Sequence, residues 1–149
     1  MPVATVHRLE EFFRRAGGLD IDKMDVRRLG EFVNREIEDL LTIGQAHAKA
    51  NGRDVVQPWD LPITKGLQET IHRFRLLDAE LSLRQFLGDL VMVPPLDLAV
   101  ADETERRMPE VAGGLCLALA ESFKILDPEL KNPMTKHWDR ARRLFELLL

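Results

Sequence analysis

A Trp-Asp dipeptide occurs twice in this chain, at Trp59-Asp60 and Trp138-Asp139, 79 positions apart, and these are its only two tryptophans. Each dipeptide follows a loop with basic residues and opens a helical stretch. Self-similarity on that scale constrains the architecture more than any single residue does, because each copy must bury its apolar face against its neighbour. The chain has 149 residues, enough for one well-filled core. Its 45% hydrophobic and 31% charged residues place it with globular rather than disordered chains.

Hydrophobic periodicity predicts helices almost throughout. Val6 to Ala16 reads as a short helix with Thr5 as N-cap and Gly17-Gly18 as its stop. A long helix follows from about Asp25 to Asn51, capped by Asp22 or Asp25. Leu29, Phe32, Val33, Ile37, Leu40 and Leu41 recur along it at helical spacing. Asn51-Gly52 ends it, and Asp54 to Gln57 is extended. Pro58 suits the first turn of the next helix, which Pro62 should kink or delay.

The second half repeats the scheme. Ser82 caps a short helix carrying Leu83, Phe86, Leu87 and Leu90, and Leu96 to Ala101 connects it to a second long helix from about Asp102 to Leu126. A shift of 79 places Leu29 on Met108, Phe32 on Val111 and Leu40 on Leu119. An interior proline costs about 3 kcal/mol, so a kink is expected at Pro109, or a helix that starts after Asp102. A final helix carries Trp138, Ala141, Leu144, Phe145 and Leu148. The stretch from Phe74 to Leu81 has no Gly or Pro, so the halves join through nearly continuous helix into a single compact unit.

Helices ordered short, long, short, with brief extended loops, resemble the histone fold. The segment from Phe13 to Gly18, then Ala46-His47-Ala48-Lys49-Ala50-Asn51-Gly52-Arg53, Val55-Val56 and Trp59-Asp60, is similar to archaeal histones in order and spacing. The whole chain resembles a small prokaryotic family that carries two histone folds in one polypeptide and has no characterised role. That resemblance implies an all-α protein with tandem histone folds, residues 1–77 and 78–149, packed as an intramolecular pseudodimer. Covalent linkage would give each half a high effective concentration for the other.

The resemblance also nominates residues. Arg53 and Asp60 match a pair that locks the loop after the long helix onto the next helix, through a contact that can be bidentate. In the second half Asp139 matches Asp60, but Asn132 replaces the arginine, which breaks the pair there unless Lys131 or Lys136 substitutes. Histone-like DNA contact would fall to Arg8, Arg14, Arg15, Lys49, Arg53 and Lys65. Against it stand three aspartates in the loop Leu19 to Asp25 and a net charge of −4, which do not favour phosphate binding. Histone-type pairs also associate further through the end of the long helix and the last helix. Here that surface would include His47, Leu61, Ile63, Leu67, Trp138, Leu144 and Leu148, with the apolar tail Leu147-Leu148-Leu149 needing cover.

Two functions follow from different classes. One is a protein-interaction or assembly module that binds itself or another protein; the other is a sequence-nonspecific, nucleoid-associated DNA binder. No enzyme is expected: the histidines His7, His47, His72 and His137 are scattered, and phosphate-loop, dinucleotide and nucleophile-elbow motifs are absent. The lone Cys116 lies among leucines and reads as a buried apolar thiol. No cofactor, metal, membrane span or small-molecule substrate is expected. The N-terminal residues show no signal-peptide pattern, so a cytoplasmic location is expected.

Overall fold

The computed structural model describes residues 2–149, in which six helices and one two-stranded parallel sheet form an all-α architecture. The first half contains α1 (Val3–Gly17), α2 (Lys23–Ala50), β1 (Val55–Val56), a 3-10 turn (Pro58–Asp60) and α3 (Lys65–Leu81). The second contains α4 (Arg84–Leu90), β2 (Ala99–Val100), α5 (Asp102–Leu126) and α6 (Thr135–Leu148). Each half therefore holds one long helix between two shorter ones.

Local chemistry sets most boundaries. Gly18, at φ +63°, ends α1, and its N–H donates to the Arg14 carbonyl at 2.9 Å. Asp22 caps α2 by accepting from Asp25 N–H at 2.9 Å, while the Asp25 carboxylate accepts from Asp22 N–H at 3.1 Å. That reciprocal box fixes the start two residues before Asp25. Pro62 delays the third helix rather than kinking it, and Thr64 caps the start at Lys65. Pro58 opens only the 3-10 turn. The second long helix starts at Asp102, as the periodicity predicts, and runs on through Pro109.

Two predicted caps are corrected. Thr5 lies inside α1, fully buried, and donates from its hydroxyl to Asp89 at 3.3 Å. Ser82 does not cap α4; it ends α3 in a left-handed conformation. Asp78 instead accepts from the Leu83 and Arg84 N–H groups, each at 2.8 Å. A carboxylate one turn inside α3 thus satisfies the amides that open α4.

The halves are tied at both ends. At one, Val55 pairs with Ala99 and Val56 with Val100 in parallel, and the Val56 carbonyl accepts from Ala101 N–H at 3.0 Å and the Thr104 hydroxyl at 2.9 Å. At the other, Asp20 N–H donates to the Lys131 carbonyl at 2.7 Å. In each case a loop before one long helix bonds a loop after the other. Between them, buried residues of both halves join one hydrophobic cluster that includes Phe12, Leu29, Ile37, Phe74, Leu115 and Phe123. Gly113 and Gly114 let α3 cross α5 closely: a Cβ at Gly113 would lie 2.4 Å from the Phe74 ring, and one at Gly114 2.5 Å from Ile71.

The two tryptophans do not occupy equivalent places. The 79-residue shift links Lys23 with Asp102, the starts of the long helices, but fails beyond their ends. The first half has an extra 3-10 turn, and Trp59 lies on it, 71% exposed. Trp138 lies in α6, buried edge-on against Phe123 at 5.2 Å between ring centroids.

Candidate functional site

Arg53 and Asp60 form the bidentate pair that their spacing predicts, one guanidinium nitrogen to each carboxylate oxygen. Asp60 is 2% exposed and also accepts from Gln57 N–H at 2.8 Å. The Arg53 guanidinium holds the Asp60 carboxyl below the usual carboxylate range. The same guanidinium lies 6.0 Å from the centroid of the Trp59 ring. His47 completes the corner, its Nδ1 2.8 Å from the Asp60 carbonyl. The arrangement clamps the chain between β1 and α3 and leaves Trp59 standing outward.

The second half builds its corner differently. Asp139 is exposed, with Arg142 at 3.9 Å as its nearest cation. Lys124 Nζ donates to the Leu130 carbonyl at 2.9 Å, and Met134 N–H donates to His137 Nδ1 at 2.9 Å. Neither Lys131 nor Lys136 takes the place of Arg53 among the described residues.

All six predicted DNA-contact residues face carboxylates. Arg14 meets Asp20 at 3.5 Å, Arg15 meets Glu80 at 2.7 Å, Lys49 meets Asp97 at 3.0 Å and Lys65 meets Glu69 at 3.8 Å. Arg8 pairs with Glu11 at 3.2 Å, donates to the Leu81 carbonyl and lies 5.4 Å from the Phe86 ring centroid. Arg53 is held by Asp60. These residues make no uncompensated basic arc.

The predicted interaction surface divides into three places. Leu67, Leu144 and Leu148 converge on an apolar groove of about 260 Å³ between α3, α5 and α6, with Ala118 and Phe145 among its other walls. Leu61 and Ile63 instead line a cleft of about 500 Å³ beside Trp59, and His47 belongs to the Asp60 corner. Trp138 is the correction: it is 7% exposed and serves the core, because its indole N–H is needed by a buried carboxylate. Leu147 and Leu148 are 81% and 68% exposed, so the groove wall at Leu148 and the neighbouring Leu147 present apolar surface to solvent.

Several polar residues escape sequence reasoning. Glu110, buried on α5, accepts two bonds from Arg75 at 2.8 and 3.1 Å and one from Arg84 at 3.3 Å, so one carboxylate binds α3 and α4 to α5. Glu36 is 3% exposed on α2, and its Oε1 has no hydrogen-bond partner. Burial, with Asp39 and Glu146 nearby, pushes its carboxyl up to about 7. Nothing in local sequence marks either glutamate, since their surroundings come from distant segments. Burial pushes the Cys116 thiol up, which keeps it protonated and unreactive. Among the described residues, no cluster of three or more His, Cys, Asp or Glu could hold a metal ion, and no helix is long and apolar enough to cross a membrane.

The fold is similar to that of a Thermus thermophilus protein of known crystal structure, at a TM-score of 0.85 and 49% identity over 97% of both chains. A crystal structure from Aquifex aeolicus matches at the same TM-score, with 23% identity over 97% of this chain and 95% of that one, and shows the fold alone. A relative from Aquifex aeolicus, described as an uncharacterized protein, is 31% identical over 144 residues, covering 88% of this chain and 83% of its own length. Residues 9–146 match a single family, described as a domain of unknown function (DUF1931), and the chain belongs to that family.

Proposed function

We propose that the chain is a covalent pair of histone folds, residues 1–77 and 78–149, packed as an intramolecular pseudodimer, and that it serves as a protein-assembly module. The crossed loop ties support the pairing: each half's first loop bonds the other half's second loop. The observation that carries the assembly role is the apolar groove of Leu67, Leu144 and Leu148, continued by the exposed Leu147. The same exposed apolar patch on two identical chains can bury itself against its copy across a two-fold axis. The occupant is therefore a second copy, and the reading assigns no catalytic role.

The DNA-binding reading has less support. A phosphate would have to displace the carboxylates that already face Arg8, Arg14, Arg15, Lys49, Arg53 and Lys65. Sedimentation equilibrium tests the proposal. The native chain should show twice its monomer mass, and Leu148→Glu, at an exposed position, should return it to monomer. A native protein that stays monomeric overturns the self-assembly reading. Fluorescence anisotropy with a random-sequence duplex tests the other: tight binding that weakens steeply with salt would put the DNA role first.

A further inference from the structure

Glu36 is a buried group for which the assembly reading has no use. It lies on the α2 face that carries Phe32, one turn away. Phe32 packs edge-on against Phe145 of α6, with ring centroids 4.9 Å apart. On the flank of the same seam, Arg35 meets Glu146 of α6 at 3.5 Å. The charged groups around Glu36 are thus Arg35 and Asp39 from its own helix and Glu146 from α6. One cation, already engaged by Glu146, faces three carboxylates. Oε1 of Glu36 has no donor.

The remaining anchors of α6 lie toward its other end. Trp138 donates to Asp25, and Arg28 donates to the Thr135 hydroxyl at 2.9 Å. The helix is therefore held by hydrogen bonds at its start, while its C-terminal half rests on apolar contacts of Ala141 and Phe145 and on the exposed Arg35–Glu146 pair, with Glu36 buried beside that seam.

We propose that Glu36 is a proton-operated latch: with its proton, α2 seats the C-terminal half of α6, and without it that half loosens and bares the apolar side it covers. The step is loss of one proton to solvent from a carboxyl whose Oε1 has no donor to stabilise the anion and which has Glu146 of α6 nearby. An unpaired buried charge is costly, and lifting α6 rehydrates it. The carboxyl sits at about 7 in the seated state against 4.5 when exposed. Proton linkage then weakens seating on the order of 100-fold as pH rises from about 4.5 to about 7. The lifted segment carries Leu144 and Leu148, but the latch does not depend on a second copy binding there.

Hydrogen exchange on dilute protein tests this directly. Protection factors, corrected for intrinsic exchange, are followed for α6 amides from Ala141 to Leu148 and for α5 amides as an internal reference. The expected result is a fall on the order of 100-fold in α6 as pH rises from about 4.5 to about 7, levelling off above that, with α5 unchanged. Glu36→Gln should flatten the α6 profile. Glu146→Gln, at an exposed site, should keep the fall and move its midpoint down. His137→Asn, which alters a buried titratable group of α6 itself, should leave the profile as it is. A flat profile in the native chain, or the same fall in Glu36→Gln, overturns the latch.

Discussion

The Trp138 indole N–H donates to the Asp25 carboxylate at 3.0 Å, joining residues 113 positions apart through a bond buried at both ends. Asp25 also closes the capping box that starts α2. One carboxylate thus begins the first long helix and holds the last helix. Burial pushes its carboxyl upward, against the bonds from Asp22 and Trp138. Trp138→Phe keeps the ring but removes the donor. A buried acceptor left unsatisfied costs about 1–3 kcal/mol, so urea denaturation should show a loss of about 2 kcal/mol.

Arg53 and Asp60 set a dependence on acid. The Asp60 carboxyl titrates lower when folded than when unfolded. Its stabilisation is therefore complete above the unfolded value and is lost as pH falls through the folded one. Arg53→Ala leaves a buried carboxylate without its partner, so the midpoint of acid unfolding should move to higher pH. Arg53→Lys should recover only part of the difference, because an ammonium cannot make the two-pronged contact. Circular dichroism along a pH titration reads both shifts.

Glu36 has the opposite sign. Its carboxyl is raised from 4.5 to about 7 on folding, so between those values the native chain binds more protons than the unfolded one. Stability should decline as pH rises through that window and level off above it. A displacement of that size corresponds to about 3 kcal/mol. Glu36→Gln should remove most of this decline, measured as unfolding free energy by urea at each end of the window.

The crossing of α3 and α5 predicts a contrast between glycines. A methyl at Gly114 would lie 3.0 Å from the Ile71 backbone nitrogen, which cannot move alone. Gly114→Ala should cost more than about 2 kcal/mol, at the upper part of the range for overpacked cores. Gly66 in α3 has nothing within 4 Å of the same position. Gly66→Ala should gain about 0.5–1 kcal/mol from helix propensity alone. Thermal unfolding of the two variants against the native chain separates them by sign.

The long helices were legible because their evidence is local. Leu29, Phe32, Val33 and Ile37 repeat at helical spacing, and Asp22 and Asp25 lie three apart, as a capping box demands. The Arg53–Asp60 pair was legible for the same reason, since seven positions and one turn bring it together. The Trp-Asp repeat misled: it equated two tryptophans with opposite burial, 71% against 7% exposed. Dipeptide identity carries no record of the extra 3-10 turn that places Trp59 outside. Ser82 looked like a cap by residue type, yet the Asp78 carboxylate won its amides by reaching them first.

The charges show most plainly where sequence stops. Composition established a mildly acidic surface, and loop position nominated six cations. Only the tertiary structure decided that Arg15 faces Glu80 and Lys49 faces Asp97, each from a distant segment. It alone placed Glu36 beneath α6 without a donor. Helix periodicity and capping are set by neighbours within one or two turns, so the chain determines them by itself. The partner of a side chain, and the water it loses, depend on which distant helix packs over it, and that is settled only when the two halves close on each other.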